Sequence, residues 1–537
     1  MTKKGVFALS ILIILYLAYA GIYIQRMSYN IEGHKYYLLM EDAMISMKYA
    51  KNLAEGKGLV WFAGGEKTEG ITNPLWTVYM AVPHLLKIKP ENTSLFIQVS
   101  AAIFLAVNIF LVFMIGLRFL KDEPMALLAA ALTGFYFPLN EWSLMGMEVS
   151  IITMLISLAV YLTVKAMDEG KFNPWIFVIC GVLPLIRIDQ AVFSVVLTAY
   201  MAFADAANRK KAVIWGVSAL AVSLVSQTIF RVMYYHDILP NTYYLKMTGY
   251  PLFLRMTRGL FFVLKNAVLS GVPALILVFI GLIRRKTRES ILFLSLFLAQ
   301  VAYSVYVGGD ITEHFGGANR FYSISMPFFF LLCAGGIKSL ADPAIPGDGW
   351  KLKKLALTTT AGAMLLLSVN MFLGPKSLEE FFLIKPMKLE KPLLEALLKR
   401  ALIIGEVTTD KALIGVVAAG IPSYFNERSF TDLLGKADRH IAKMPMHLPD
   451  RSLGIFKKAI YFTPGHLKWD YQYSVVQKRP DLLTGLWWGA DEISAFMKEN
   501  YEQIALGMYV LKGSKNILWD KLEKYREHTD NENKISD

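Results

Sequence analysis

The residues Met1-Thr2-Lys3-Lys4-Gly5, followed by Val6-Phe7-Ala8-Leu9-Ser10-Ile11-Leu12-Ile13-Ile14-Leu15-Tyr16-Leu17-Ala18-Tyr19-Ala20-Gly21-Ile22-Tyr23-Ile24, decide the class of fold. The apolar run carries no charge, and about 20 such residues cross a bilayer. No small-residue cleavage site and polar mature domain follow it, because hydrophobic runs keep coming. It reads as a retained first transmembrane helix. Further candidate spans lie at 74–88, 95–117, 125–139, 144–165, 174–204, 212–235, 260–282, 291–307, 322–338 and 354–373. They predict about eleven crossings. The run 174–204 is long enough to hold a break at Arg187-Ile188-Asp189.

Composition agrees with a polytopic α-helical membrane protein. The chain of 537 residues is 55% hydrophobic and 18% charged, whereas soluble domains carry about 25% charge. Disorder, a coiled coil and a collagen-like fibre are thereby excluded. The net charge of +13 would suggest nucleic acid on a soluble protein. Here it is expected from basic cytoplasmic loops, and no nucleic-acid partner is expected. Cys180 and Cys333 fall inside apolar runs and read as small core residues, not a disulfide.

Three basic loops orient the chain: Asn208-Arg209-Lys210-Lys211, Arg284-Arg285-Lys286-Thr287-Arg288, and Lys351 with Lys353 and Lys354. Placing them in the cytoplasm puts the loop 26–73, the segments 236–259 and 308–321, and everything after 374 on the outer face of the cytoplasmic membrane. After 374 charge is frequent and no run is long enough to span. Lys411-Ala412-Leu413-Ile414-Gly415-Val416-Val417-Ala418-Ala419-Gly420 reads as a buried strand entering a turn. Lys458–Phe462 and Met508–Lys512 are later short apolar runs. The expected organisation is a transmembrane domain, 1–373, and an extracytoplasmic α/β domain, 374–537.

Ionisable groups at or near membrane depth are costly and tend to face a cavity or substrate path. The densest stretch is the first outer loop. Glu41-Asp42-Ala43-Met44-Ile45-Ser46-Met47-Lys48-Tyr49-Ala50 has helical periodicity with two carboxylates at its start. A helix N-terminus favours such anions, and an N-cap by Asp42 is the simplest structural account. The loop continues to Glu69-Gly70-Ile71-Thr72-Asn73-Pro74-Leu75-Trp76. Turn chemistry alone does not require Glu69, Thr72 and Asn73 together.

These blocks resemble the GT-C arabinofuranosyltransferase-like family of the AftB type. The resemblance rests on Glu41–Ile45, Tyr49–Val60 and Gly65–Trp76 in the first loop, and on Gly146-Met147-Glu148. It continues through Tyr234–Lys246, which contains Pro240-Asn241-Thr242-Tyr243-Tyr244, and through Gly308-Gly309-Asp310 with Asn319-Arg320-Phe321. Ala418–Pro422, Asp432–Gly435 and Gly465-His466 with Lys468 extend it to about residue 470. The resemblance implies a GT-C fold and transfer of a sugar, arabinofuranose in that family, from a polyprenyl-phosphate donor to an envelope glycan. In such enzymes an acidic residue of the first outer loop acts at the acceptor hydroxyl. That role falls on Asp42, with Glu41 beside it where the family has a second Asp.

A phosphate leaving group needs cationic donors. Arg320, Lys246 and His314 are the candidates for the donor phosphate, and Arg320 follows a Gly-rich loop that suits a forked contact. Arg255 and Arg258 are expected to snorkel to the interface. Glu69, Thr72, Asn73, Glu148, Asn241, Asp310 and His466 are candidates for substrate binding. A divalent metal held by Asp310 and His314 with Glu41 or Asp42 is possible chemistry without a spacing signature. Arg187 and Asp189 are expected to pair at a helix break. Trp487 and Trp488 could stack on a sugar, but a place in the domain core is the expected one. A protein O-glycosyltransferase of the same fold differs only in acceptor. A lipid-linked-sugar transporter should show repeated halves, and none is visible.

Overall fold

The computed structural model describes the chain apart from residues 343–349, 373, 386, 388, 389, 451 and 527–537. The side chains of 315, 351 and 352 are also outside the described residues, and with them the Lys351 part of the third basic loop. Six helices are long and apolar enough to cross a membrane: Lys3–Arg26, Pro90–Leu120, Val149–Glu169, Arg209–Tyr235, Leu252–Arg284 and Arg288–Val307. Among the described residues, the shorter apolar helices Trp175–Ile186, Ile188–Ala204 and Met326–Ala341, and the helices Glu123–Gly134, Phe137–Leu144 and Trp350–Val369, pack with them.

Two of the expected spans differ in the structure. The segment 74–88 is no span; it holds two short helices, Pro74–Met80 and Val82–Leu85. The run 174–204 is two passes, a helical hairpin that turns at Ile188–Gln190. Arg187 sits at the turn and pairs with Asp189 at 2.9 Å, as expected, but also with Glu148 at 2.7 Å. A buried guanidinium between two carboxylates can close a hairpin that apolar residues alone would continue as one helix.

One end of the bundle is tied by charge. Thr2 donates its N–H and hydroxyl to Glu123, both at 2.6 Å. Lys338 and Lys354 share Asp122 and Asp342 at 2.7–3.3 Å. Small residues let the helices approach closely. A side chain at Gly336 would strike the backbone of Leu277, so Met326–Ala341 and Leu252–Arg284 pack backbone to backbone. Cys180 and Cys333 are buried and unpaired, as read from sequence.

At the opposite end the first loop forms a hairpin, β1 (Ser28–Ile31) with β2 (His34–Tyr37), and then the helix Glu41–Ala54. Beyond the last pass the helix Glu390–Val407 buries Leu394, Leu397, Leu398 and Ala401 in the same apolar core as the membrane helices. A mixed five-stranded sheet follows, in the order β4-β3-β5-β7-β6. Its strands are β3 (Leu413–Val416), β4 (Ser429–Asp432), β5 (Leu482–Leu483), β6 (Tyr501–Ile504) and β7 (Met508–Leu511). Lys458–Phe462 is not a strand; it lies mostly in the helix Ile455–Tyr461. The sheet domain does not stand off from the bundle. Its core takes in Ile45, Tyr49, Leu59, Trp61 and Ile71 from the first loop, together with Tyr235. The first loop is therefore clamped between the bundle and the sheet.

Candidate active site

The helix Glu41–Ala54 begins after Met40, so the two carboxylates occupy its first turn and Asp42 is not the N-cap. Residues Ala43 to Ala50 are buried without interruption, because the sheet domain covers the side that would otherwise face water. That cover is seated by Glu41. Its carboxylate accepts the N–H groups of Gly420 and of Ile421, the latter at 3.0 Å, at the turn after β3. A side chain at Gly420 would strike the Glu41 carbonyl, so only glycine allows this approach. Burial pushes the Glu41 carboxyl up to about 7, against the two amide hydrogen bonds that favour its charge.

Asp42 has different surroundings. Lys436, just past β4, forms an ion pair with it. Despite burial, Lys436, Lys246 and Arg320 hold the Asp42 carboxyl far below the usual carboxylate range. Burial brings Lys246 down to about 8, with Arg320 and Lys436 adding to the effect and Asp42 opposing it. Asp42 is thus an ionised carboxylate facing three cations. Cations gathered around one carboxylate in this way can also take up a phosphate oxygen.

Asp42 faces a cavity of about 1200 Å³ between the bundle and the sheet domain. Glu41, Asp310, Arg320, His466 and Lys436 line it as well. Behind Asp42 a narrow recess is lined by Thr72, Asn73, Lys246, Arg320 and Lys436. Arg320 begins a short helix capped by Asn319, which accepts the N–H of Phe321 at 2.8 Å. Its guanidinium lies 3.1 Å from the Asp310 carboxylate and 5.2 Å from the Trp142 ring. The loop that carries Asp310 is held from below: Arg258 donates to the carbonyls of Gly308 and Asp310, and Arg255 to those of Tyr306 and Met247. Arg255 and Arg258 are buried. The expectation that they snorkel is therefore corrected: the turn at Gly308-Gly309 leaves carbonyls that only a buried donor can satisfy.

Several residues expected at the site have other partners. Glu69 is buried against Arg231 at 2.7 Å and pins the first loop to the Arg209–Tyr235 helix. Asn73 donates to Glu148 at 2.6 Å and accepts from Ser46 at 2.9 Å, while Glu148 receives Arg187. Asn241 donates to the carbonyls of Gly435 and Lys436 at 2.9 Å, and so shapes the turn that presents Lys436. His314 is exposed and does not line the cavity. Lys468 is buried, donating to the carbonyls of Tyr244 and Ala442 at 2.8 Å. Among the described residues, no group of three or more His, Cys, Asp or Glu is arranged to hold a metal ion.

Lys436 was not legible as a site residue, and for the tryptophan pair the core was preferred over sugar stacking. Lys436 directly follows the block Asp432–Gly435, but nothing in its spacing points to Asp42. Trp487 and Trp488, expected in the core, are 38% and 41% exposed and line the cavity. The turn at Gly489 (φ +77°) carries them outward, and the Trp487 N–H is held by the Tyr471 hydroxyl at 3.2 Å.

A sequence profile for a domain of unknown function (DUF8728) matches residues 391–522. No curated protein matches the chain in sequence. Solved structures share its fold. The apo structure of ArnT from Cupriavidus metallidurans superposes with a TM-score of 0.53 at 12% identity, covering 93% of this chain and 97% of that one. ArnT bound to undecaprenyl phosphate gives 0.50 at 13% identity, over 78% and 85% of the two chains. The apo Archaeoglobus fulgidus oligosaccharyltransferase gives 0.53 at 10% identity, over 80% and 64%. The chain therefore has the fold of GT-C membrane proteins, with a small C-terminal sheet domain.

Proposed function

We propose that this protein is a membrane glycosyltransferase that moves a sugar from a polyprenyl-phosphate donor to a hydroxyl of an envelope glycan, on the outer face of the cytoplasmic membrane. The observation that carries the reading is the placement of Asp42 beside Lys436, Lys246 and Arg320 at the wall of one cavity. The three cations suit the phosphate of the donor. As the bond from the anomeric carbon to phosphate oxygen breaks, charge grows on the leaving phosphate, and fixed donors stabilise it. Asp42 accepts the proton of the acceptor hydroxyl as that oxygen bonds to the anomeric carbon. Glu41, whose oxygens are taken by Gly420 and Ile421, holds the sheet domain over the site.

A GT-C neighbour solved with undecaprenyl phosphate supports the lipid class of the donor. The sequence blocks support a pentofuranose, arabinofuranose in the family they resemble. The basic loops support the orientation, since the end that carries Lys338 and Lys354 faces the cytoplasm by the charge rule. The test is to incubate purified protein with a panel of polyprenyl-phosphate sugars and follow release of polyprenyl phosphate. Wild type should consume one donor class and Asp42→Asn should not. A wild type that consumes none, or a variant that is equally fast, ends this reading.

A further inference from the structure

The cavity has a second wall that phosphate chemistry does not explain. Trp487 and Trp488 stand edge to face, with ring centroids 5.4 Å apart at 80°. His466 packs beside both, at 6.1 Å and 28° to Trp487 and at 5.5 Å and 72° to Trp488. The rings sit on a built turn. Tyr471 holds the Trp487 N–H, a side chain at Gly489 would strike Trp469, and the Trp469 indole donates to Glu492 at 3.3 Å. Two large rings left partly uncovered cost stability that burial would have supplied. They line the cavity.

Carboxylates accompany the rings. Asp491, Glu390 and Glu141 line the same cavity. Glu141 is 6% exposed, and its Oε2 has no hydrogen-bond partner among the described residues. A buried polar atom of this kind calls for a water, an ion or a ligand group to complete it. Nearby negative charge and burial push the Glu390 carboxyl up to about 7, so it can offer a proton as well as accept one near neutral pH.

We infer that Trp487 and Trp488, with Glu141, Glu390 and Asp491, form a carbohydrate-binding wall of the cavity that Asp42 also lines, and that it holds the acceptor glycan. A sugar ring presents an apolar C–H face that covers an indole, and a rim of hydroxyls that needs acceptors and donors. The wall supplies both. Neither a peptide nor a lipid chain offers that combination of flat apolar face and hydroxyl rim. The assignment of this glycan as acceptor rests on the glycosyltransferase reading; the binding of carbohydrate does not.

The experiment uses the full-length protein in nanodiscs, titrated with a panel of soluble pentofuranose and hexopyranose oligosaccharides while tryptophan fluorescence is followed. Wild type and Asp42→Asn should both bind at least one, and Trp487→Ala/Trp488→Ala should bind it at least about tenfold more weakly. Trp487→Phe/Trp488→Phe should recover part of the affinity, which separates ring stacking from a folding defect. With a donor that turns over, the Ala pair should raise KM for the acceptor and leave its saturating rate nearly unchanged. Binding that persists while no donor is ever consumed keeps the carbohydrate wall and ends the transferase reading. Three results overturn the wall: no oligosaccharide binding alongside active transfer, equal binding by wild type and the Ala pair, or quenching of these rings by brominated lipid chains, which would place them in the bilayer.

Discussion

Lys436 pairs with Asp42 from 394 residues further along the chain, and it does so from the sheet domain, not from the membrane bundle. The candidate catalytic carboxylate is thus completed by the part of the protein that sequence assigns to a separate unit. Asn241 fixes the turn on which Lys436 rides, and Glu41 fixes the domain itself. In the proposed role as a base, the pair keeps Asp42 ionised across the working range.

Replacing Lys436 by Met should lower transfer at neutral pH by about 10–100-fold. The sign of the pH effect follows from the pair. Lys436 holds the Asp42 carboxyl low, so its removal raises that carboxyl, and activity should fall off at a higher pH than in wild type. A pH–rate profile checks it. An acid limb that does not move would detach Asp42 from the rate.

Arg320→Ala should lose donor turnover, but it also leaves Asp310 buried without its countercharge. The double variant Arg320→Ala/Asp310→Asn removes both charges. It should recover thermal stability while turnover stays low, because phosphate binding needs the guanidinium and folding needs only the balance. Recovery of turnover in the double variant would take Arg320 out of the donor site.

Arg187→Met strands Glu148 and Asp189 at the hairpin turn. Removing one partner of a buried ion pair costs about 3–5 kcal/mol. The expected outcome is a marked drop in melting temperature in detergent. A melting curve that superposes on wild type would show that the hairpin closes without this charge.

Glu390 carries a pH signature. Its carboxyl is raised to about 7 by burial and by Asp42, Asp310, Glu380 and Glu41, against about 4.3 in an unfolded chain. The folded state therefore keeps its proton where the unfolded state has lost it. Stability from this group is fully present below about pH 4 and is lost as pH rises through 7. Glu390→Gln should melt at the same temperature as wild type at pH 4 and a few degrees higher at pH 8. Equal melting at both pH values would show that this carboxyl is not raised.

Particular residues show why the sequence was legible in some places and not in others. The long apolar helices were readable because apolar length is a local property. The segment 74–88 was not, since it is apolar enough to suggest a span and only Ala81-Val82-Pro83 breaks it. The pairing of Arg187 with Asp189 was readable because the two are adjacent in sequence. Its third member, Glu148, was not. Arg255 and Arg258 looked like interfacial cations, but Tyr306 and Met247 supply carbonyls for Arg255, and Gly308 and Asp310 supply them for Arg258. Trp487-Trp488 looked like core because bulk and apolarity usually decide that; here a glycine turn overrides them.

By itself the sequence determined a polytopic bundle with its basic loops at one end, a polar first loop led by Glu41 and Asp42, and a C-terminal α/β unit. Each follows from periodicity, length or charge read along a few tens of residues. Only the tertiary structure decided that the C-terminal unit closes over that loop, that Lys436 and Arg320 converge on Asp42, and that two tryptophans face the same cavity. Those are contacts between residues hundreds of positions apart. No local pattern encodes them, because their geometry depends on how the helices and the sheet share one buried surface.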